Sequence, residues 1–404
     1  LVETTLQYDL VPAVVPEFKS ITIGGAVVGG ALESTSFLAG QVSDTVVSAR
    51  ILLANGTLTT ITPAHDLYHG LPGSFGTLAI VLEATLRLVP CKPVVEVKTL
   101  TFASMQKGVQ ELNRVATLSS YDFVDALQFP SGELVLCLGK YMNSIDGIQL
   151  TRTEPANGLW FYELIEDRLQ GSSTFSSLYL PVYDYLFRYE RGAFWMGRPM
   201  QFCWKEIFRN PSLIARFFAS WRRTRSVFGR FLTATTLYRL LHQADSTAVA
   251  ETFVLLDAYM PASKAAELLD FIRSAIPVTI PIWLCPVKPP ARTQPLSPSG
   301  LALQNNTMII DVGVWGRVSD RRAVHYTKML EDKVTDLGGR VMLYSQSNMT
   351  AKELYEKHID GAAYSRLRLQ YQADGVFAAL HEKLQLNDKS RKRGLWYWIA
   401  RLLL

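Results

Sequence analysis

At 404 residues, with 48% hydrophobic and 19% charged positions, the chain has the composition of a globular protein with a large core, and a prior of about 150 residues per domain suggests two or three domains. The net charge of +5 and a pI near 8.9 suit an anionic cofactor or an anionic membrane surface, and no nucleic-acid motif is present. The composition excludes intrinsic disorder, no apolar run is long enough to span a bilayer, and the six histidines and four cysteines (Cys91, Cys137, Cys203, Cys285) show no metal-ligand spacing, so the cysteines read as reduced core residues of a cytosol-facing protein.

The first pattern along the chain is the strip T-I-G-G-A-V-V-G-G-A-L-E-S-T-S-F-L-A-G from Thr22 to Gly40. Its glycines Gly24, Gly25, Gly29 and Gly30 remove the Cβ atoms that would hold a flat, charged ligand away from the backbone, and Ser34 and Ser36 add hydroxyl donors. Glycine pairs also occur at bulges and close helix contacts, so the strip alone is weak evidence. An apolar run from Val46 to Leu53, an Asn55-Gly56 turn and Leu58 to Ile61 follow as a hairpin. Residues Asp66 to Val81 then pass through a glycine bend, D-L-Y-H-G-L-P-G-S-F-G-T-L-A-I-V, into a strand that ends near Pro90.

The grammar changes after Pro90, which places a domain boundary near Cys91 to Pro93. Val94 to Phe102 reads as a strand, Met105 to Thr117 as a helix, and Phe123 to Phe129 and Glu133 to Lys140 as strands. The same order returns later: strand Phe253 to Ala258, helix Ala262 to Ile276, strands Val278 to Cys285 and Met308 to Val314, helix Arg321 to Leu337, and a last strand from Val341 to Tyr344. Two halves of this kind predict a split-βαβ, α+β cap domain. Between them, Asn157 to Asp245 is an aromatic, arginine-rich and mostly helical insertion, and Pro286 to Pro298 is a proline-rich loop.

In this order, T-I-G-G, the small-residue run with serine, and G-T-L-A-I-V resemble the second half of the PCMH-type FAD-binding domain of flavin oxidases related to vanillyl-alcohol oxidase. The resemblance implies that Thr22, Ile23, Gly24, Gly25, Gly29, Gly30, Ser34, Ser36, Gly40, Gly76 and Ile80 face FAD. Residues far from the strip narrow it to the delta(24)-sterol reductase group: Asp66-Leu67-Tyr68 with Leu71-Pro72 and Ser74, Y-L-F-R-Y-E-R from Tyr185 to Arg191 leading to Phe194-Trp195, P-I-W-L-C-P from Pro281 to Pro286, I-D-V-G-V-W-G from Ile310 to Gly316, and Met342-Leu343-Tyr344. The match covers most of the chain. Its implied architecture is α+β, with the second half of the flavin domain at residues 1–92 and a substrate or cap domain at 93–404. The chain departs from the group at Asn348-Met349, where a Tyr-Met pair is usual. It begins inside the flavin domain, with no counterpart of the Gly/Ser-rich pyrophosphate loop, and is expected to be an N-terminally truncated piece.

The resemblance implies reduction of a sterol side-chain alkene, with FAD as relay and NADPH as a transient donor, by a membrane-associated, cytosol-facing enzyme of the endoplasmic reticulum. An isolated trisubstituted alkene resists direct hydride attack, so a neutral acid in a dry pocket is needed to protonate it. Tyr344, Asp257 and Asp311 are the candidates, in no order. Each aspartate lies within an apolar strand and is either paired, exposed, or turned into a ligand cleft with a raised pKa. Tyr185, Arg188 and Arg191 stand at helical spacing, so the arginines either reach a ligand phosphate or carboxylate or make a structural ion pair. In the insertion, Phe217, Phe218, Trp221, Phe228 and Phe231 alternate with Arg216, Arg222, Arg223, Arg225 and Arg230, which fits a membrane-surface helix or a packed one. The tail from Lys389 to Trp398 is a second candidate anchor. Two alternatives stand beside the reductase reading: an FAD-linked alcohol or lactone oxidase using oxygen, which shares the flavin strip, and a non-catalytic sterol- or membrane-binding homologue that kept the cap and lost FAD.

Overall fold

The computed structural model describes residues 1–143, 147, 149–151, 159–169, 177–192, 229–236, 250–278, 281–298, 308–344 and 347–385. Among the described residues thirteen strands run in chain order: β1 Leu10–Pro12, β2 Val46–Leu52, β3 Leu58–Ile61, β4 Ile80–Leu86, β5 Leu88–Pro90, β6 Val94–Phe102, β7 Phe123–Gln128, β8 Leu134–Met142, β9 Ser177–Pro181, β10 Phe253–Pro261, β11 Ile282–Val287, β12 Ile309–Arg317 and β13 Arg340–Val341. They form a small sheet β3-β2-β4, a ribbon β1-β5, and one sheet of eight strands in the order β13-β10-β12-β11-β7-β8-β6-β9.

In the large sheet β6 and β7 flank β8, and β10 and β11 flank β12, each pair being joined through a helix, Met105–Leu118 or Ala262–Ala275. This is the split-βαβ unit twice over, joined edge to edge where β11 pairs antiparallel with β7. The α+β class expected from the alternation is therefore observed. The last strand is shorter than the apolar run implied: Arg340–Val341 pairs with β10, but Leu343 and Tyr344 have already left the ladder in a turn.

Period-2 alternation sorts the large sheet into two faces. One carries Val124, Ala126, Leu136, Val254, Leu256, Leu284, Ile310, Val312 and Val314, and is covered by the apolar sides of the helices Met105–Leu118, Ala262–Ala275 and Ala323–Asp336. The other carries Phe123, Leu127, Cys137, Tyr259, Trp283, Cys285 and Trp315, and is covered by Val11, Val15, Leu32, Trp160, Phe161, Tyr185 and Tyr189. Three aspartates interrupt this second face at Asp125, Asp257 and Asp311, two of which, Asp125 and Asp311, are fully buried.

At the N-terminal side the strip opens as a helix, Ile23–Gly29. Thr22 caps it by accepting a hydrogen bond from the Gly25 amide, and Gly30 ends it in the left-handed region at φ +71°. A side chain at Gly30 would also stand 2.7 Å from the Gln41 Nε2 atom, so the position is doubly restricted to glycine. The C-terminal helix Gly361–Gln370 reaches back to this region, where the buried Arg368 donates to the carbonyls of Thr77, Ala373, Phe377 and Ala378.

Candidate functional site

The structure divides the strip into two ends. At one end Thr22, Ile23 and Gly25 are exposed, and a Cβ on Gly25 would meet only the Thr22 hydroxyl, at 2.9 Å. Gly24 is packed instead: its Cβ would stand 3.3 Å from the Val81 carbonyl, so its absence lets the helix lie directly on β4. The Gly73–Gly76 loop joins the same end, since the amides of Gly73 and Phe75 donate to the Val28 carbonyl at 2.9 and 3.3 Å. Thr22, Ile23, Gly24, Gly25, Gly29, Gly76 and Ile80 are thus brought together although they span two distant motifs. Ile21, Ile23, Ile80 and Leu82 stay 40–46% exposed around them, an apolar and glycine-lined surface that fits the flat ring and close backbone approach a flavin needs.

At the other end Gly30, Ser34, Ser36 and Gly40 are buried against the large sheet. The Ser34 carbonyl accepts from the Val124 amide at 2.8 Å and the Ser36 carbonyl from the Lys288 amide at 2.9 Å. Neither serine hydroxyl faces outward: Ser36 Oγ accepts from the Glu33 amide at 3.0 Å, and Ser34 Oγ accepts from Arg188 at 3.1 Å.

Arg188 is the bolt between strip and sheet. Only 2% exposed, its Nη2 reaches Glu33 at 3.3 Å, Ser34 Oγ at 3.1 Å and Asp125 at 2.9 Å, while Nη1 donates to the Tyr185 carbonyl. The guanidinium lies 4.3 Å from the Tyr185 ring centroid and 4.5 Å from that of Tyr189. Asp125 takes further donors from Tyr189 Oη at 2.7 Å and Trp283 Nε1 at 3.0 Å. Burial opposes the Arg188 charge, but Asp125 and Glu33 outweigh it and hold the guanidinium protonated. Burial raises the Glu33 pKa against the pull of Arg188. The expectation that Arg188 and Arg191 share a helix face is corrected here. The helix ends at Leu186, Arg188 sits in the turn that follows, and Arg191 turns away to Asp184 at 3.8 Å.

A second acidic group occupies the sheet face beside this bolt. Asp257 is partly open; its Oδ1 accepts from Trp315 Nε1 at 2.9 Å, and Tyr344 stacks on Trp315 with centroids 5.6 Å apart. Burial lifts the Asp257 pKa to about 6 although Trp315 and Tyr344 hold it down. Asp311 is fully buried and neither carboxylate oxygen has a hydrogen-bond partner. Burial first, then the charges of Asp257 and Glu17, push its pKa well above the usual carboxylate range. Glu17 is likewise pushed up by burial and then by Glu33. So of the outcomes open from sequence, Asp311 is neither paired nor exposed.

Three of these groups escaped sequence reasoning. Asp125 carries the same signal as the other two aspartates, a carboxylate inside an apolar strand, F-V-D-A-L-Q. Glu33 was visible as the one charged residue of the glycine-serine strip, whereas nothing local marks Glu17. A cavity of about 220 Å³ opens beside the bolt, lined among others by Val11, Val15, Glu33, Phe123 and Tyr141. Cys91, Cys137 and Cys285 are free thiols, and Cys203 lies outside the described residues. No group of metal-ligating side chains occurs among the described residues. Among them, too, no helix is long and apolar enough to cross a membrane. Most of the insertion, including Phe217 to Phe228, and the tail from Lys389 to Trp398 lie outside the described residues.

Residues 1–62 match the family described as an FAD binding domain. Over 92% of its length the chain is similar to the delta(24)-sterol reductase of Mus musculus, at 25% identity over 375 residues and 69% of that protein. It is similar over the same share to a delta(24)-sterol reductase homolog of Caenorhabditis elegans, 27% identical over 396 residues and 70% of that protein. A shorter match, 40% identical over 75 residues and 18% of this chain, is to an FAD-dependent monooxygenase of Aspergillus calidoustus that is covered over 14% of its length.

Proposed function

We propose that this chain, an α+β flavoprotein similar over most of its length to delta(24)-sterol reductases, is an FAD-dependent oxidoreductase that reduces the side-chain double bond of a sterol, with NADPH as the electron donor. The observation that carries the reading is a buried sheet face where carboxyls with raised pKa stand among aromatic rings, bolted through Arg188 to the strip that resembles a flavin cradle. A hydride-transferring oxidase has no use for a protonated acid of this kind, because its substrate loses a proton; an alkene reductase must supply one.

Bound FAD supplies hydride chemistry, and Thr22, Gly25, Gly76 and Ile80 would hold it through backbone and apolar contacts. The chain's own residues do the rest. Arg188 fixes the strip relative to the sheet, Trp283, Trp315 and Tyr344 exclude water, and Asp257 and Asp311, whose pKa values are raised, are the groups that can hold a proton. In this reading residues 1–92 form the flavin side, 93–404 the cap, and the enzyme meets its sterol at the cytosolic face of the endoplasmic reticulum.

The short monooxygenase match involves only a small share of the chain, so an oxygen-using flavin oxidase is the second reading. Anaerobic mixing separates the two. In the protein expressed from its complete gene, NADPH should bleach the flavin, and a side-chain-unsaturated sterol should restore its colour without oxygen. Rapid reoxidation by air with no response to sterol would instead favour the oxidase.

A further inference from the structure

The cavity beside the bolt lies between the N-terminal residues and the large sheet. Val11, Glu33 and Ala39 line it from the first side, and Phe123, Tyr141 and Leu186 from the second. Among its lining residues Val11, Val15, Phe123 and Leu186 are buried and apolar, whereas Leu38, 43% exposed, and Arg87 mark the mouth. A single charged group belongs to the buried part, Glu33, which is 3% exposed. Its Oε2 accepts from the Ser34 amide and hydroxyl and from Arg188 at 3.3 Å. Among the described residues its Oε1 accepts only from Arg188, at 3.5 Å, and so keeps acceptor capacity. Tyr141 adds a phenol that makes no hydrogen bond among the described residues through its hydroxyl. An apolar cavity with a few polar groups at fixed places is the usual form of a small-molecule site.

The size decides how a guest enters. A cavity of about 150 Å³ with apolar walls takes one benzene ring. This one, at about 220 Å³, takes roughly half as much again: two fused rings, but not a four-ring skeleton. A sterol therefore goes in by one end and leaves the rest at the mouth. Its two ends differ, since one carries a hydroxyl on a ring and the other is a branched hydrocarbon chain. The chain would strip water from Glu33 and give it no donor in return. The hydroxyl supplies that donor, and its own lone pairs answer the Tyr141 phenol.

The strip connects this cavity to the flavin side. It is helical up to Gly29, and four more residues lead to Glu33, so Gly25 and Glu33 are no more than about 20 Å apart. One sterol molecule is of comparable length. With its ring end at Glu33 it is long enough to bring its side chain to the glycine-lined surface.

Building on the reductase reading, we propose that this cavity binds the hydroxyl-bearing ring end of the sterol, the hydroxyl donating to Glu33 and accepting from Tyr141. The side chain then stays outside the mouth, on the side of the strip where the flavin is expected. Glu33 and Tyr141 are specificity-determining residues in this arrangement. They select a molecule with a hydroxyl on its ring end and leave the reacting end to other groups.

The test is binding, read without turnover. Tritiated cholesterol and its 3-methyl ether are presented in detergent micelles to the immobilised, flavin-loaded protein expressed from the complete gene. The parent should hold the alcohol about 10–100-fold more tightly than the ether, the worth of a hydrogen bond to a charged group. Glu33→Gln should shrink that preference to less than about fivefold. Ala39→Phe fills the cavity from a partly exposed position, and should weaken cholesterol binding at least tenfold with flavin content unchanged. Equal affinity of the parent for alcohol and ether overturns the proposal, as does undiminished cholesterol binding by Ala39→Phe. If Glu33→Gln does not fold, these two results still decide. A parent that prefers the alcohol but whose NADPH-reduced flavin ignores a side-chain-unsaturated sterol sinks the reductase reading and leaves the cavity assignment standing.

Discussion

Replacing Arg188 with glutamine probes the contact on which the site depends. The change leaves Asp125 with its Tyr189 and Trp283 donors and Glu33 with Ser34, so few hydrogen-bonding atoms are orphaned. What is lost is the cation compensating two carboxylates that are 0% and 3% exposed. Removing one partner of a buried ion pair costs about 3–5 kcal/mol, and the ring contacts with Tyr185 and Tyr189 put this case in the upper half of that range. The loss should depend on pH. Burial already raises the Glu33 pKa and Arg188 holds it down, so without Arg188 it rises further above its unfolded value near 4, and the penalty is full above the raised value and disappears as pH falls toward 4. Urea unfolding followed by tryptophan fluorescence should give a midpoint far below the parent's at pH 8 and a smaller gap at pH 5. Arg188→Gln with Asp125→Asn and Glu33→Gln, which removes all the charges, should recover most of the loss. A cost under about 1 kcal/mol at pH 8, or an equal cost at both pH values, would refute the account of Arg188 as a buried bolt.

Asp257→Asn should flatten part of the parent's stability profile: with a folded pKa of about 6 against an unfolded value near 3.9, the native carboxyl loses on the order of 2–3 kcal/mol of stability as pH rises from 4 to 6, and the variant should lack that slope in urea titrations. Gly25→Val should leave the fold intact, because the added Cβ meets only the Thr22 hydroxyl on an exposed turn of helix, yet abolish flavin retention; normal flavin absorbance in the purified variant counts against the cradle. Changing Arg222, Arg223 and Arg225 together to glutamine should weaken binding to anionic vesicles at low salt, by about 1 kcal/mol per arginine, with flavin content unchanged. Undiminished vesicle binding would return that segment to the cap.

The architecture was largely legible because it rests on local periodicity. Alternation in β6, β7, β8, β10 and β12, with amphipathic helices between, specifies both the elements and their buried faces, and the observed helices Met105–Leu118, Ala262–Ala275 and Ala323–Asp336 lie within a few residues of the runs that announce them. The Asn55-Gly56 turn was equally readable, since a tight hairpin is a property of four residues, and the Leu53 amide does donate across it to the Thr57 carbonyl. Where the local signal misled, a longer-range contact had won. Helical spacing put Arg188 and Arg191 on one face, but a buried guanidinium satisfied by two carboxylates outweighs another turn of helix.

By itself, then, the sequence determined the α+β class, the two split-βαβ halves, the glycine strip and the presence of carboxylates inside apolar strands. It did not determine what those carboxylates do. Asp125, Asp257 and Asp311 carry one and the same local pattern and end in three states: bolted to an arginine 63 residues away, half-open beside Trp315, and buried without a partner. A carboxyl's charge is decided by desolvation and by what lies within a few ångströms, and those neighbours arrive on other strands and on the Glu33 strip. Only the tertiary structure brings them together.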